Sequence, residues 1–150
     1  MRLHILSDLH LEVAPFDAPV TDADLVILAG DIDNGTRGMD WARKTFPQPV
    51  LYLAGNHESY EADFDQTEEA LATTADNERL FLFDCTERFI DGVRFLGCTL
   101  WTDYSLAPQD RRAAAIEASR TRNPDYKLIR RGERAFAPED AIGLCHRHLQ

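Results

Sequence analysis

The sequence predicts an α/β fold in which helices cover a largely parallel sheet. Near-continuous apolar runs of strand length occupy residues 3–6, 25–29 and 50–54, a pattern typical of strands that are buried on both faces. Two segments with helical character, 35–46 and 64–77, follow the second and third runs. Strands that alternate with helices favour layered α/β packing over a sandwich with one solvated face.

Shorter strands follow in the second half of the chain. Residues 80–83, 86–90 and 93–99 have strand-like patterns. The pair Asp91-Gly92 between the last two is a strong signal for the two-residue turn of a β-hairpin. This part of the chain is therefore predicted to be antiparallel.

Two further helices are predicted in the last third of the chain. The first covers 111–122, and Asn123-Pro124 ends it because a residue that precedes proline disfavours the helical conformation. The second begins at Pro138, which suits the first turn of a helix, and it continues to Gln150.

Length and composition predict one globular domain over residues 1–150. Hydrophobic residues make up 44% of the chain and charged residues 28%, the range of ordinary globular proteins. No apolar run approaches the ~18 residues of a membrane span, and Met1 leads directly into a strand-like segment. We therefore expect a cytoplasmic protein.

The three cysteines form no C-x-x-C pair, which argues against a disulfide scaffold and a cysteine zinc site and favours reduced, mostly buried thiols.

The charge distribution limits the partners of the protein. A net charge of -10 would repel nucleic acid and anionic membrane surfaces, so we expect neither as a partner. Residues 109–135 nevertheless hold eight basic and four acidic residues, a local excess of +4. A solvated, charged helix face is the simpler interpretation, and a phosphate-binding patch is the alternative.

Three polar clusters directly follow the three long apolar runs. The first is D-x-H, with Asp8 and His10; the second is G-D-x-x-x-G at 30–35; the third is G-N-H-E at 55–58. Because the carboxyl ends of neighbouring strands open into one crevice, we expect these clusters to converge on a single site. Oxygen and nitrogen donors of this kind suit manganese, iron or zinc better than calcium.

Each motif alone is weak evidence, since a D-x-H at a strand end is more often a capped turn. The ordered set, with each motif after an apolar strand, resembles the calcineurin-like metallophosphoesterase superfamily over Met1 to about Glu58. The segment 97–102 is also similar to a strand-to-loop segment of bacterial members. The resemblance implies a layered α-β-β-α sandwich, represented here by its N-terminal part, and metal-dependent hydrolysis of a phosphate ester.

The resemblance implies a role for each motif residue. Asp8 and His10 would bind the first of two divalent metal ions. Asp31 would bridge both ions, and Asn56 would bind the second through its amide oxygen. A metal-bridging hydroxide would attack phosphorus, and His57 would assist the leaving group as a general acid. The substrate would be a phosphate-ester small molecule or a phosphoprotein.

Neighbouring residues are expected to support these ligands. Where some branches of the family place Asp three positions after the bridging Asp, this chain has Asn34, with Asp33 one position earlier. We expect Asp33 to orient a neighbour, but it is not assigned as the partner of His57. Glu58 is expected to hold its loop by hydrogen bonds behind the metal ligands; a solvent-exposed turn residue is the alternative.

The family's later motifs, a further His after a strand and a G-H-x-H, do not occur in this sequence. The second ion would then have only Asp31 and Asn56 as protein ligands, which is a poor site. We therefore expect the domain to be truncated on its C-terminal side and to belong to a longer enzyme. The alternative is a truncated or degenerate domain without activity, at most a weak metal-binding or interaction module.

One sequence near the end of the chain superficially resembles the missing motif. His146-Arg147-His148 has the H-x-H spacing but no preceding glycine, and the residues around it fit an amphipathic helix. Side chains two positions apart on a helix diverge. We therefore expect this pair to be helical and not to be a joint ligand set.

Overall fold

The computed structural model describes residues 1–76 and 78–149. At its centre lies a four-stranded parallel sheet in which each strand pairs with the next one along the chain. The strands are β1 (Leu3–Leu6), β2 (Leu25–Ala29), β3 (Val50–Leu53) and β4 (Leu80–Leu82). The predicted parallel sheet is confirmed. The expectation that 80–83 belongs to an antiparallel part is wrong, because β4 pairs in parallel with β3 as a further buried strand.

β1 lies at the edge of this sheet and departs from the prediction of burial on both faces. Ile5 is 60% exposed, and Leu3 is also exposed. The apolar cluster on that face contains residues of β2, β3 and β4, whereas none of its described members comes from β1. An edge strand has only one neighbour, so part of β1 stays uncovered.

Two helices cover one face of the sheet, α1 (Arg37–Thr45) and α2 (Phe64–Thr74). Their buried side chains share a cluster with the strands, which includes Val26, Leu28, Met39, Ala42, Val50, Tyr52 and Leu71. Asp63 begins α2 by accepting a hydrogen bond from the backbone N–H of Gln66 at 3.1 Å. α2 ends earlier than predicted because Ala75 is extended, and Asn77, the predicted end, lies outside the described residues.

A hairpin of β5 (Thr86–Ile90) and β6 (Val93–Gly97) covers the opposite face. Asp91 and Gly92 both have positive φ, +48° and +78°, as the predicted two-residue turn requires. Hairpin and sheet share an apolar cluster that includes Leu25, Leu51, Phe81, Ile90 and Phe95. The order of helices, sheet and hairpin confirms the predicted layering.

The remaining helices and strands lie in the last third of the chain. They are α3 (Arg112–Arg122), α4 (Asp125–Leu128), the two-residue strands β7 (Arg130–Arg131) and β8 (Arg134–Ala135), and α5 (Pro138–His148). A third apolar cluster joins this part of the chain to α2 and contains Phe64, Tyr126, Ile129, Phe136, Ala141 and Leu144, whereas α3 has no buried residue. α3 matches its prediction, and α5 begins at Pro138 as predicted but ends at His148. α4 and the β7–β8 pair are too short to give a periodic signal.

No helix in the described ranges, 1–76 and 78–149, is both long and apolar enough to cross a bilayer. The predicted end of the last helix at Gln150 lies outside those ranges.

Candidate metal centre

The three motif clusters lie at the carboxyl ends of β1, β2 and β3, and they meet in the structure. The backbone N–H of Asp8 donates to the Gly30 carbonyl at 3.0 Å, and that of His10 donates to the Asp31 carbonyl at 3.1 Å. The third cluster joins the second because the backbone N–H of His57 donates to Asp31 Oδ1 at 2.9 Å. The convergence predicted from the sequence is therefore observed.

Two glycines allow this close approach. Gly30 has a φ of +92°, and a Cβ at this position would lie 3.2 Å from the backbone of Gly55. A Cβ at Gly55 would in turn overlap the Asp31 carboxylate. A side chain at either position would separate the loops after β2 and β3.

Three of the expected ligands adopt backbone conformations that are unusual for residues with a side chain. Asp8, His10 and Asp31 have φ values of +53°, +47° and +56°. Such left-handed conformations cost on the order of 1 kcal/mol or more each and cluster at functional sites. Here they belong to the residues that project donor atoms toward one another.

The donor atoms of Asp8, His10 and Asp31 all lie within 4.8 Å of one another. A divalent first-row ion with bonds of about 2.0–2.2 Å brings its ligand atoms to within roughly 3–4 Å of one another. Small side-chain rotations would therefore close this triad around a single ion. The residues present fit a metal at the first expected position.

At the second expected position, the Asn56 amide is oriented by its neighbours. Its Nδ2 donates to Asp125 Oδ1 at 2.8 Å and to Tyr60 Oη at 3.2 Å. Because the amide nitrogen is held in this way, Oδ1 is the atom presented on the other side of the amide. Asp125 is buried, and it also accepts a hydrogen bond from the Tyr60 hydroxyl at 2.8 Å.

The buried Glu58 side chain connects the loops after β2 and β3 through hydrogen bonds to the backbone of both. Its Oε2 accepts from the backbone N–H groups of Gly55 at 2.7 Å and Asp31 at 3.2 Å. Its Oε1 accepts from the Ile32 N–H at 3.0 Å and from the Tyr52 hydroxyl at 2.9 Å. The side chain is fully buried, and this burial raises the pKa of the Glu58 carboxyl. The alternative of a solvent-exposed turn residue is therefore wrong.

Glu12 is a site residue that the sequence interpretation missed. Its Oε1 accepts hydrogen bonds from Nδ1 of His10 at 3.0 Å and from Nδ1 of His57 at 3.1 Å. Burial opposes ionisation, but hydrogen bonds from its own backbone N–H and from both histidines lower the pKa of Glu12. No periodic pattern marks Glu12, because it reaches the two histidines from the turn that follows His10.

His57 is held on two sides. Its ring stacks on Tyr60 with 4.0 Å between centroids, and it meets the His10 ring edge-on at 4.4 Å. With Nδ1 bound to Glu12, Nε2 is the ring nitrogen left to act on a ligand.

Burial and the adjacent Asp125 carboxylate raise the pKa of Tyr60, which therefore remains a hydroxyl donor.

Asp33 hydrogen-bonds its sequence neighbours. Its Oδ1 accepts from the backbone N–H of Asn34 at 2.7 Å and from Arg37 Nε at 2.9 Å. Among the described residues, no hydrogen bond joins it to an expected metal ligand. The expectation that Asp33 orients a neighbour for the function of the site stays a prediction.

A cleft of about 430 Å³ opens beside Asn56, the residue expected to serve a second metal ion. Asn56, Asp125, Thr99 and Trp101 are among the residues that line it. The Thr99 hydroxyl donates to the Ala54 carbonyl at 2.6 Å, which holds the segment after β6 against the end of β3. The cleft leaves room for a ligand that extends from the candidate centre.

Three arginines of the basic segment, Arg120, Arg131 and Arg134, make ion pairs with acids outside it. Arg120 pairs with Glu139 at 2.6 Å, and Arg131 pairs with Asp140 at 3.2 Å. α3 has no buried residue. These contacts favour the solvated, charged face over a phosphate-binding patch.

The H-x-H pair diverges on α5, as expected. The His146 side chain is 58% exposed and lies 3.8 Å from Asp103. His148 is turned inward, and its Nδ1 donates to the Thr99 carbonyl at 2.8 Å. The pair does not form a joint ligand set.

The domain model of the calcineurin-like phosphoesterase superfamily matches residues 1–146. Among solved structures, the fold is similar to that of phosphopantetheinyl hydrolase from Mycobacterium tuberculosis, with a TM-score of 0.68 and 20% sequence identity. That superposition covers 99% of this chain and 60% of the other, so this chain spans about three-fifths of the neighbour's length. No curated protein sequence matches the chain.

Proposed function

The chain belongs to the calcineurin-like phosphoesterase superfamily, and from this premise we propose that it is a metal-dependent hydrolase of phosphate esters. The observation that carries the proposal is the triad of Asp8, His10 and Asp31, whose donor atoms lie within 4.8 Å of one another. The substrate class is a phosphate-ester small molecule or a phosphoprotein. We place the protein in the cytoplasm, where its three cysteines, which are free, would stay reduced.

In this proposal Asp8 and His10 hold a first divalent ion, Asp31 contacts both ions, and Asn56 Oδ1 faces the second. Two bound ions would supply a nucleophile activated at neutral pH and positive charge for the phosphate oxygens. Manganese, iron and zinc all suit these donors. Positive charge is needed here because the chain has a net charge of -10, which opposes the approach of an anionic substrate.

His57 is the proposed general acid, and Glu12 is its proposed orienting partner. A carboxylate at Nδ1 fixes the ring and stabilises its protonated form, so that Nε2 can give a proton to the leaving oxygen. This arrangement accounts for Asn34, which stands where some branches of the family have Asp. Glu12, in the loop after β1, would orient His57 in place of that Asp.

The incomplete second position favours a second candidate function. Within the described residues, Asp31 and Asn56 are the motif residues that would serve the second ion, and two protein donors bind a metal weakly. A complete second position needs donors besides these two residues. A truncated or degenerate domain that binds one ion and does not turn over substrate is therefore the second candidate.

Hydrolysis of a chromogenic phosphodiester by the full 150-residue chain with Mn²⁺ separates the two candidates. The hydrolase proposal predicts metal-dependent turnover that falls at least 100-fold in Asp31→Asn and persists in Asp17→Asn, an exposed acid outside the motifs. Folded wild-type chain without turnover, binding at most one ion weakly by calorimetry, would contradict the hydrolase proposal and support the second candidate.

A further inference from the structure

A second cluster of metal-binding side chains shares no residue with the candidate metal centre. Two cysteines and a histidine, Cys85, Cys98 and His148, bring their ligand atoms to within 4.8 Å of one another. We propose that these three residues form a zinc site that joins the β5–β6 hairpin to α5. The site is independent of the proposed hydrolase function.

The two sulfurs meet at the open end of the hairpin. Thr86 pairs with Gly97 as the outermost pair of the ladder, and Cys85 and Cys98 come one residue further out on either side. Cys85 lies in a bend with a φ of +48°, so this bend and not the alternation of a strand sets the direction of its side chain. The two sulfurs lie within 4.8 Å of each other.

His148 approaches this point from α5 with a fixed tautomer. Its Nδ1 donates to the Thr99 carbonyl at 2.8 Å, and a carbonyl can only accept, so Nδ1 carries the proton. Nε2 then has the free lone pair that binds a metal, an arrangement that is usual for zinc-binding histidines. The side chain is only 10% exposed, so its packing holds the ring in this orientation.

A fourth donor is available next to the cluster. Asp84 precedes Cys85, and its Oδ1 lies 4.0 Å from His148 Nε2. Two sulfurs, an imidazole nitrogen and a carboxylate oxygen or a water would complete the four-coordinate geometry of zinc. Thiolate ligands select zinc over manganese, magnesium or calcium. This site and the oxygen-rich candidate centre therefore differ in the metal they prefer.

The cysteines depart from their predicted burial in a way that fits this site. Cys145 is buried, whereas Cys98 is half-buried and Cys85 is exposed. Spacing rules missed the cluster because its ligands come from a hairpin and a distant helix.

Cobalt absorption tests the proposal directly. The full chain is reduced, freed of metal with a chelator and titrated with Co²⁺, and the thiolate-to-cobalt charge-transfer band is followed in the near ultraviolet. Only cysteine ligands give this band, so binding at Asp8, His10 and Asp31 does not contribute to it. We expect the band in the wild type, its loss in Cys85→Ser and Cys98→Ser, and at least tenfold weaker binding in His148→Gln.

Three matched variants keep the outcome interpretable. His146→Gln changes the exposed histidine of the same helix, Cys145→Ala removes the third thiol, and Asp31→Asn disrupts the candidate metal centre. All three should retain the band, and melting curves establish which variants are folded. If Cys98→Ser does not fold, Cys85→Ser still provides the test, because it changes an exposed side chain.

A reduced wild-type chain without the band, or a band that survives in Cys85→Ser, would overturn the zinc site. The proposal would also be overturned if the chain forms a Cys85–Cys98 disulfide in air and, once this disulfide is fully reduced, gives no cobalt band. Either result leaves the hydrolase proposal untouched, because that proposal is tested by phosphodiester turnover in wild type and Asp31→Asn.

Discussion

The side-chain amide of Asn56 donates a hydrogen bond to the Asp125 carboxylate at 2.8 Å, across 69 positions of sequence. This bond determines which amide atom would face the proposed second metal ion. In Asp125→Asn the amide can rotate, so we expect the Mn²⁺ concentration for half-maximal hydrolysis to rise about 10–100-fold. Asp110→Asn, an exposed acid, serves as the control. An unchanged Mn²⁺ requirement in Asp125→Asn would show that Asp125 does not orient the amide.

Glu58→Gln should destabilise the fold. The carboxylate accepts four hydrogen bonds in a fully buried position, and a glutamine nitrogen would face donors that it cannot satisfy. We expect a loss of about 2–3 kcal/mol in the free energy of unfolding, because unsatisfied buried donors cost about 1–3 kcal/mol each. Urea unfolding measures this loss, and exposed Glu61→Gln should stay within about 0.5 kcal/mol of wild type.

Glu12→Gln should impair turnover more than binding. Without the carboxylate at Nδ1, the protonated His57 ring loses its stabilising partner, so we expect kcat to fall about 10–100-fold with KM little changed. Steady-state hydrolysis of the chromogenic phosphodiester gives both constants, and Asp17→Asn provides the matched control. A Glu12→Gln enzyme with the kcat of wild type would contradict the orienting role of Glu12.

Glu68 should make the free energy of unfolding depend on pH near neutrality. Burial and the nearby acids Asp84 and Asp65 raise the pKa of Glu68 to about 7. A raised pKa in the folded state contributes stability that is fully present below the unfolded pKa and is lost as pH rises through about 7. Glu68→Gln should therefore stabilise the protein more at pH 8 than at pH 5, by on the order of 1 kcal/mol after allowance for solvent screening.

Thermal unfolding of wild type and Glu68→Gln at the two pH values measures this difference. Glu69→Gln, on the exposed side of the same helix, should leave the wild-type pH dependence in place. Equal effects of Glu68→Gln at both pH values would contradict the raised pKa.

The sequence predicts the local parts of this fold well. The three long apolar runs, the Asp91-Gly92 turn and the helix that begins at Pro138 each carry a periodic or turn signal within one short window. All of them appear in the structure. The convergence of the three motifs also follows from the rule for parallel strand ends, because it requires only that the strands be neighbours.

The remaining features depend on contacts between distant parts of the chain. Glu12 reaches His57 across 45 positions, and His148 reaches Thr99 across 49. No pattern within a window of a helix or a strand contains such pairs. The antiparallel pairing predicted for β4 is wrong for the same reason, since a short apolar strand does not itself specify a parallel or an antiparallel neighbour.

Metal binding through Asp31 can be measured without a substrate, by calorimetric titration of the full chain with Mn²⁺. We expect a binding isotherm for the wild type and at least 100-fold weaker binding for Asp31→Asn, with Asp17→Asn unchanged. Superimposable isotherms for wild type and Asp31→Asn, in two proteins with matching melting curves, would show that Asp31 does not hold a metal ion.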